Sequence, residues 1–275
     1  MKMPEPTLPD DVSLNIMQVI SADGTRVPVY HYRKNNSAES HSTTAAVVHA
    51  HGGGMILLSA AAMIDSISRL VHDTGVQFFS VDYRLAPEHS YPAALEDCWT
   101  CLTHLHSNAE ALGIDPKRIG VMGESAGGNL AAALTLKARD QRLSPPIAQQ
   151  ILVYPMLDDR NTDDPDVFSL WNGDDNLTGW TAYLGKAPGG DNVPIYAAPG
   201  RIADATSLPP LYLDVGQLDI YIKENLEYVR KFIEAGIDTE FHVHPGLPHG
   251  WDGLAPAHSV NRQFVENRKR VLKNL

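Results

Sequence analysis

The stretch Gly120-Val-Met-Gly-Glu-Ser-Ala-Gly-Gly-Asn129 decides the fold of this chain. The largely apolar run 118–122 has the pattern of a strand, and residues 129–137 favour a helix. Between them stands G-x-S-x-G, which predicts a sharp turn with strained backbone angles at Ser125. The serine hydroxyl then projects away from the sheet, beside the free N–H groups of the next helix. A glycine-rich turn without chemistry is the alternative, and the flanking strand and helix favour a nucleophile.

Strand-like and helix-like segments alternate through the rest of the chain. The predicted strands are residues 45–50, 76–81, 147–154, 211–215 and 239–244, and the predicted helices are 59–74, 93–106, 220–235 and 258–272. Such alternation is typical of the α/β fold class, with a mainly parallel central sheet flanked by helices on both faces. No shift in composition marks a second unit, so a single domain is expected over residues 1–275.

Two parts of the chain depart from this alternation. Residues 1–44 are interpreted as an N-terminal arm, a hairpin and part of a cap. Their predicted segments are a loose arm or short helix at 1–15, a hairpin at 19–30 with its turn at Asp23-Gly24, and a surface loop at 35–44. Residues 158–200, rich in Asp, Asn, Gly and Pro, are interpreted as a small cap-like excursion from the sheet over the active site.

The composition argues against several classes of partner. The 275 residues carry a formal net charge of −11, which disfavours binding to nucleic acid or to an anionic membrane. The longest nearly apolar stretch, residues 55–64, is too short to span a bilayer. The first ten residues lack the apolar segment of a secretory signal. Cys98 and Cys101 are expected to face inward from a helix as small apolar residues, and a cytoplasmic location is expected.

A serine nucleophile needs a base, an acid that orients the base, and donors for the oxyanion. After a strand-turn-helix of this kind the partners follow in the order acid, then histidine, each on a loop after a strand. Asp219 lies just beyond the strand 211–215, whereas the competing Asp214 lies within it. His249 lies on the loop directly after the strand 239–244. We therefore expect Asp219 and His249 to complete a catalytic triad with the serine.

Other histidines offer alternatives to this base and raise the question of a metal. His242 and His244 alternate within a strand, and His258 opens the last helix. The chain contains three H-x-H pairs, none with a third zinc ligand at a recognised spacing: His49/His51, His104/His106 and His242/His244. No metal and no cofactor are therefore expected.

The motif His51-Gly-Gly-Gly54 directly follows a predicted strand. Backbone N–H groups there can point at a carbonyl oxygen because no side chains intervene. Gly53 and Gly54 are the expected oxyanion donors, with the N–H of Ala126 as the third. A flexible glycine loop is the alternative, and His51 is expected to shape the loop rather than to act as a second base.

The wall of the substrate pocket is the least constrained part of the site. Five side chains are candidates because they neighbour the motifs or lie in the excursion: Met55, Trp171, Trp180, Tyr183 and Leu247. Packing in the core is the alternative for each of them.

The motifs stand in the order found in the hormone-sensitive-lipase-like family of α/β-hydrolases, which the chain resembles from about residue 45 onward. They are His51-Gly-Gly-Gly54, Asp82-Tyr-Arg-Leu-Ala-Pro-Glu88, Tyr91-Pro-Ala-Ala-Leu-Glu-Asp97, Gly123-Glu-Ser-Ala-Gly-Gly-Asn-Leu-Ala131, Tyr154-Pro155, Leu208-Pro-Pro210 and Pro248-His-Gly250. The resemblance implies the α/β-hydrolase fold and a serine carboxylesterase that hydrolyses short- to medium-chain esters through an acyl-enzyme intermediate. It also implies that Asp219 is the family's acid.

The acid segment departs from the family pattern. Relatives usually have D-P-L-R-D-E from the acid onward, where this chain has Asp219-Ile-Tyr-Ile-Lys-Glu224, so the proline and the second acid are replaced. The part before residue 45 is also shorter than in many relatives, where it contributes to a cap.

Two other functions remain open at this point. A lactonase or an amidase would use the same triad, because all of these reactions pass through the same acyl-enzyme. A catalytically silent protein that binds a hydrophobic ligand is the alternative from another class. The family's hormone receptors depart from the triad at the histidine, so His249 favours an enzyme. The expected partner is a small-molecule ester or lactone, and the oligomeric state, a homodimer included, is left open.

Overall fold

The computed structural model describes residues 8–35, 43–164, 169–254 and 258–275. Parts of the predicted arm, of the predicted surface loop and of the excursion therefore lie outside the described residues, at 1–7, 36–42 and 165–168.

Within the described residues eight strands form one sheet, in the order β1-β2-β4-β3-β5-β6-β7-β8. Their bounds are β1 Val12–Ile20, β2 Arg26–Lys34, β3 Thr44–Ala50, β4 Gln77–Val81, β5 Ile114–Glu124, β6 Gln150–Val153, β7 Leu211–Gly216 and β8 Thr239–His244. The pairs β1–β2 and β2–β4 are antiparallel, and every other neighbouring pair is parallel. The predicted α/β fold class is confirmed.

Helices cover this sheet. Those in the described part of the chain are α1 Ile64–Thr74, α2 Ala93–Ser107, α3 Ala109–Leu112, α4 Ala126–Asp140, α5 Gly173–Leu184, α6 Ile222–Glu234, α7 Trp251–Leu254 and α8 Ser259–Lys273. Helix α1 packs against α8, and α2 packs against α4. None of the helices in the described ranges is long and apolar enough to cross a membrane.

The central strands are buried on both faces, as parallel strands covered by helices should be. Strand β4 and strand β6 are buried at every residue, which explains why their sequences are mostly apolar and do not alternate between apolar and polar residues. Cys98 and Cys101 are free and fully buried in α2, and burial raises the pKa of both thiols. Their predicted role as small apolar core residues is confirmed.

The N-terminal hairpin is longer than predicted. Strand β1 begins at Val12, which pairs with Lys34, so the interpretation of residues 12–15 as arm or helix was wrong. Pairing with β2 along its whole length fixes this segment as a strand, although its alternation of burial is weak. The side chain of Arg84 ties the hairpin to the rest of the fold through ion pairs of 2.6 Å to Asp23 and 2.7 Å to Asp97.

Candidate active site

A single residue, Ser125, separates strand β5 from helix α4. Its backbone angles are φ 54° and ψ −116°, a strained conformation for a residue with a side chain. The turn is possible because glycines flank it: a Cβ on Gly127 would lie 1.9 Å from the carbonyl oxygen of Ala50, and a Cβ on Gly123 would lie 2.2 Å from the carbonyl oxygen of Gly127. The serine therefore stands at the carboxyl end of the sheet and at the N-terminus of a fifteen-residue helix.

Three side chains from separate loops form a continuous hydrogen-bond chain. His249 Nε2 lies 2.9 Å from Ser125 Oγ, and His249 Nδ1 lies 2.9 Å from Asp219 Oδ2. Because a carboxylate can only accept, Nδ1 carries the proton and Nε2 is free to accept the serine proton. All three residues are buried, so the chain of hydrogen bonds is shielded from bulk water. This is the geometry of a Ser-His-Asp triad.

The loop after β7 aims the carboxylate of Asp219. Its second oxygen, Oδ1, accepts the backbone N–H of Tyr221 at 2.9 Å. The neighbouring Leu218 donates its N–H to the carbonyl of Leu247 at 3.0 Å, and a Cβ on Gly216 would lie only 2.2 Å from that carbonyl oxygen. The backbone of Leu247, predicted as a residue of the pocket wall, thus joins the acid loop to the histidine loop.

The competing acid is placed elsewhere. Asp214 is fully buried in β7 and accepts a hydrogen bond of 2.8 Å from the hydroxyl of Tyr212. Burial raises the pKa of Asp214 to about 8, with the charge of Arg268 acting in the opposite direction. A carboxyl group that is mostly neutral at pH 7 and is hydrogen-bonded within its own strand is unsuited to orienting an imidazole. The choice of Asp219 over Asp214 agrees with this arrangement.

Two tyrosines hold the imidazole of His249 in place. The ring of Tyr154 lies 4.8 Å from it at an interplanar angle of 71°, and the ring of Tyr221 lies 4.9 Å from it at 90°. The hydroxyl of Tyr154 donates to Asp252 at 2.8 Å, which fixes the first of these rings. Neither tyrosine was predicted to belong to the site, because each follows a different strand and the sequence alone does not show which rings meet.

The glycine loop after β3 lies beside the nucleophile. A Cβ on Gly52 would be 3.5 Å from the Cβ of Ser125. Gly53 and Gly54 have φ angles of 110° and 60°, which favour glycine. Among the described residues none accepts a hydrogen bond from the N–H of either glycine. Ala126 is the first residue of α4, and an N–H at that position has no acceptor within its helix.

His51 stabilises this loop through hydrogen bonds and ring stacking. Its Nδ1 donates to the carbonyl of Gly52 at 2.7 Å, and its ring stacks on Tyr83 at 4.2 Å. The Tyr83 hydroxyl in turn donates to the carbonyl of His51 at 2.8 Å. Burial lowers the pKa of His51 to about 4, so the imidazole is neutral at physiological pH. These contacts support the expected role of His51 as a structural residue rather than a second base.

A buried pair fixes the residue before the nucleophile. Glu124 accepts from His49 Nε2 at 2.9 Å, and His49 Nδ1 lies 2.8 Å from Ser80 Oγ. Burial acts to raise the pKa of Glu124, and the charge and hydrogen bond of His49 outweigh it and lower that pKa. The two histidines of the first H-x-H pair are therefore each engaged in separate structural contacts.

Comparison with known proteins places this architecture in a family. The family model described as the alpha/beta hydrolase fold matches residues 47–253. The chain belongs to this family. The resemblance expected from the motifs is thereby confirmed.

The curated relatives of this α/β-hydrolase include the esterase LipI of Mycobacterium tuberculosis, 38% identical over 209 residues, or 69% of this chain and 61% of the relative. The carboxylesterase NlhH of the same organism is 36% identical over 210 residues, or 70% of this chain and 61% of the relative. The chain thus spans about three fifths of the length of these relatives.

Solved structures of other proteins superpose on almost the whole length of this α/β-hydrolase. A bacterial heroin esterase superposes with a TM-score of 0.91 at 35% identity, over 96% of this chain and 84% of the other. The esterase LipW from Mycobacterium marinum superposes with a TM-score of 0.86 at 33% identity, over 96% of this chain and 82% of the other.

The excursion of this α/β-hydrolase contacts both loops of the site. The indole of Trp171 packs on Gly54 so closely that a Cβ there would lie 2.0 Å from Trp171 Cη2. The side chain of Leu170 packs over Gly250, next to the histidine. Helix α5 approaches through Gly179, where a Cβ would lie 2.9 Å from the carbonyl oxygen of Gly54. The indole of Trp171 therefore lies directly beside the glycine loop.

The other predicted wall residues have different positions. Met55 is 1% exposed, has a φ of 67°, and accepts the N–H of Ala86 through its carbonyl at 2.9 Å. Trp180 and Tyr183 are fully buried on α5, where Tyr183 meets the ring of Tyr91 edge-on at 5.8 Å. Their contacts match the core-packing alternative.

The start of the excursion is anchored to α6. The buried carboxyl group of Glu224 accepts the N–H of Leu157 at 2.5 Å and that of Asp158 at 3.2 Å. Its other oxygen accepts from Asn161 Nδ2 at 2.7 Å. Because Glu224 lies five residues after the triad acid, the same segment holds both the acid and the root of the excursion.

Proposed function

We propose that this protein is a serine carboxylesterase that hydrolyses short- to medium-chain carboxylic esters through an acyl-enzyme intermediate. The observation that carries the proposal is the chain of hydrogen bonds from Ser125 through His249 to Asp219. Relatives named esterase and carboxylesterase support it. The partner is then a small-molecule ester, and the cytoplasmic location and homodimer stay predictions.

Acylation begins when Ser125 Oγ attacks the ester carbonyl carbon while His249 Nε2 accepts the hydroxyl proton. The carbonyl oxygen becomes an oxyanion, and Asp219 stabilises the imidazolium. Collapse of the tetrahedral intermediate breaks the bond to the alcohol oxygen, which takes the proton from Nε2 and leaves. Water then gives its proton to Nε2 and attacks the acyl carbon. The intermediate collapses, the serine recovers the proton, and the carboxylic acid is released.

The oxyanion is held by backbone donors. Gly53, Gly54 and Ala126 offer N–H groups without an acceptor among the described residues, at the loop and helix that flank the serine. A preorganised donor of this kind contributes about 3 kcal/mol to the stabilisation of the transition state. These donors need no reorganisation energy when the oxyanion forms, because the turn at Ser125 and the glycine loop already hold them in place.

The alternatives differ in what they need from the site. A lactonase or amidase would use the same three residues and differ only in the leaving group. A silent binding protein needs no aligned base, so the 2.9 Å contact between His249 Nε2 and Ser125 Oγ argues against it.

The decisive experiment combines turnover with covalent labelling. We expect the purified protein to hydrolyse p-nitrophenyl acetate and to react with a fluorophosphonate at Ser125, located by mass spectrometry of the labelled peptide. A panel of lactones and anilides assayed beside the esters ranks the three bond types. A folded protein that neither reacts with the fluorophosphonate nor turns over any ester would contradict the proposal.

The wall formed by Trp171 is expected to limit the acyl chain. In Trp171→Leu, the rate on p-nitrophenyl octanoate relative to p-nitrophenyl acetate should rise by about tenfold or more, because each methylene that fits an apolar pocket discriminates by roughly that factor. A chain-length series of kcat/KM values measures this ratio. Trp99→Leu is the control, since Trp99 lies on α2 beneath Lys137, away from the glycines. An equal ratio in both variants would refute the assignment of the wall.

A further inference from the structure

Tyr221 stands two residues after the triad acid. Its side chain is completely buried. Three parts of the residue make three different contacts. The backbone N–H binds Asp219 Oδ1 at 2.9 Å, the ring meets His249 edge-on, and the hydroxyl donates to Asn176 Oδ1 at 3.0 Å. A leucine could reproduce only the first of these.

Asn176 belongs to helix α5 of the excursion and is itself buried. Its amide nitrogen donates to the carbonyl of Asn161 at 3.3 Å, and Asn161 Nδ2 donates to the carbonyl of Ile220 at 2.9 Å. Two residues of the excursion, Asn161 and Asn176, are thus hydrogen-bonded to each other and to the acid loop at Ile220 and Tyr221. The same helix α5 carries Gly179, which lies against the carbonyl of Gly54.

Trp171 approaches the same hydroxyl. Its indole N–H is buried and makes no hydrogen bond of ordinary geometry with any described residue. Burial raises the pKa of the Tyr221 phenol well above its usual value. The nearby indole of Trp171 acts on that pKa in the opposite direction. The hydroxyl of Tyr221 therefore lies where helix α5, the indole wall and the acid loop converge.

We propose that Tyr221 is a positioning residue with two roles, one toward the imidazole of His249 and one toward the excursion. The ring supports the imidazole, and the hydroxyl holds helix α5, and with it the wall beside the oxyanion glycines. The inference rests on the proposed esterase function, since it concerns the base of that reaction. Its two parts are separable, because phenylalanine keeps the ring and loses only the hydroxyl.

Kinetics of four variants test these two roles. Tyr221→Phe should raise KM for p-nitrophenyl butyrate by about fivefold, the effect of one lost hydrogen bond, with kcat nearly unchanged. Asn176→Ala should raise KM by at least as much, because it also removes the bond to the carbonyl of Asn161. The double variant should lose no more than Asn176→Ala alone, because that variant already lacks the bond to the hydroxyl. Tyr221→Leu should in addition lower kcat by about tenfold, the effect of one lost aromatic contact. A further rise of KM when Tyr221→Phe is added to Asn176→Ala would overturn the role of the hydroxyl.

The rate of fluorophosphonate labelling at Ser125 provides a readout that needs no ester turnover. It should be slower in Tyr221→Leu and unchanged in Tyr221→Phe. Tyr212→Phe is the matched control, since it also removes a buried hydroxyl bond, but to Asp214 in β7. Kinetics and labelling equal to this control in both Tyr221 variants would overturn the inference. An unmodified protein that neither labels nor turns over would overturn the proposed function, and the inference with it.

Discussion

Replacing Ser125 by alanine is expected to lower kcat for p-nitrophenyl acetate by on the order of 10⁶-fold, the loss that follows removal of the nucleophile from a working triad. The oxyanion donors and the pocket remain, so the residual rate stays above that of the uncatalysed reaction. Single-turnover measurements should show no acyl-enzyme. The fold should survive, because alanine fits wherever serine does at this turn.

The control for this variant is Ser66→Ala. Ser66 lies on helix α1, is exposed, and donates only to the carbonyl of Met63 at 3.1 Å. We expect it to retain full activity. A Ser125→Ala protein that keeps more than a thousandth of the wild-type kcat, with contaminating esterase excluded by the absence of fluorophosphonate labelling, would remove Ser125 from its proposed role.

Asp219→Asn is expected to lower kcat by about 10⁴-fold while the structure stays intact, since the wrong imidazole tautomer then prevails. The carboxylate oxygen that lies 2.9 Å from His249 Nδ1 can only accept, so it keeps the proton on Nδ1. An asparagine amide can present its NH₂ group there, which favours the proton on Nε2. Nε2 then cannot accept the proton of Ser125. Circular dichroism and kcat measured on the same sample separate this effect from unfolding.

Asp214→Asn is the matched control for the same chemical change. The raised pKa of Asp214, about 8, leaves its carboxyl group mostly neutral at pH 7, and asparagine is nearly isosteric with the neutral acid. Activity at pH 7 should therefore stay close to that of the unmodified protein. If Asp214→Asn were the inactive variant and Asp219→Asn the active one, the assignment of the acid would be reversed.

The positions of the three triad residues could be predicted because they depend on local rules. Loops after parallel strands meet at one edge of the sheet, so the residues that follow β5, β7 and β8 come together whatever the intervening sequence. The sharp turn at Ser125 is equally local, since Gly123 and Gly127 are required within four residues of each other.

The supporting contacts could not be predicted in this way. The ring of Tyr154 reaches His249 across 95 residues of sequence, and Glu124 meets His49 across 75 residues, and no pattern in either segment identifies the partner. Trp180 and Tyr183 were candidates for the pocket wall, with core packing as the alternative, because they share the excursion with Trp171. Both rings are buried on α5, whereas Trp171 precedes the N-cap of that helix, Asn172.

The excursion is inserted at one place in the sheet, the connection between β6 and β7. Residues 154–210 lie between β6 and β7, which are parallel neighbours in register from Gln150–Leu211 to Val153–Asp214. The pairing of these two strands does not involve the excursion itself, residues 158–200, so evolution or an engineer can exchange that part as a cassette. The attachment points for a transplant are equally defined: a new cassette has to satisfy the carboxyl group of Glu224 at its root and the hydroxyl of Tyr221 at its far side. A cassette that satisfies both groups leaves the hydrogen bonds of the triad unchanged, so the excursion can be varied without rebuilding the catalytic residues.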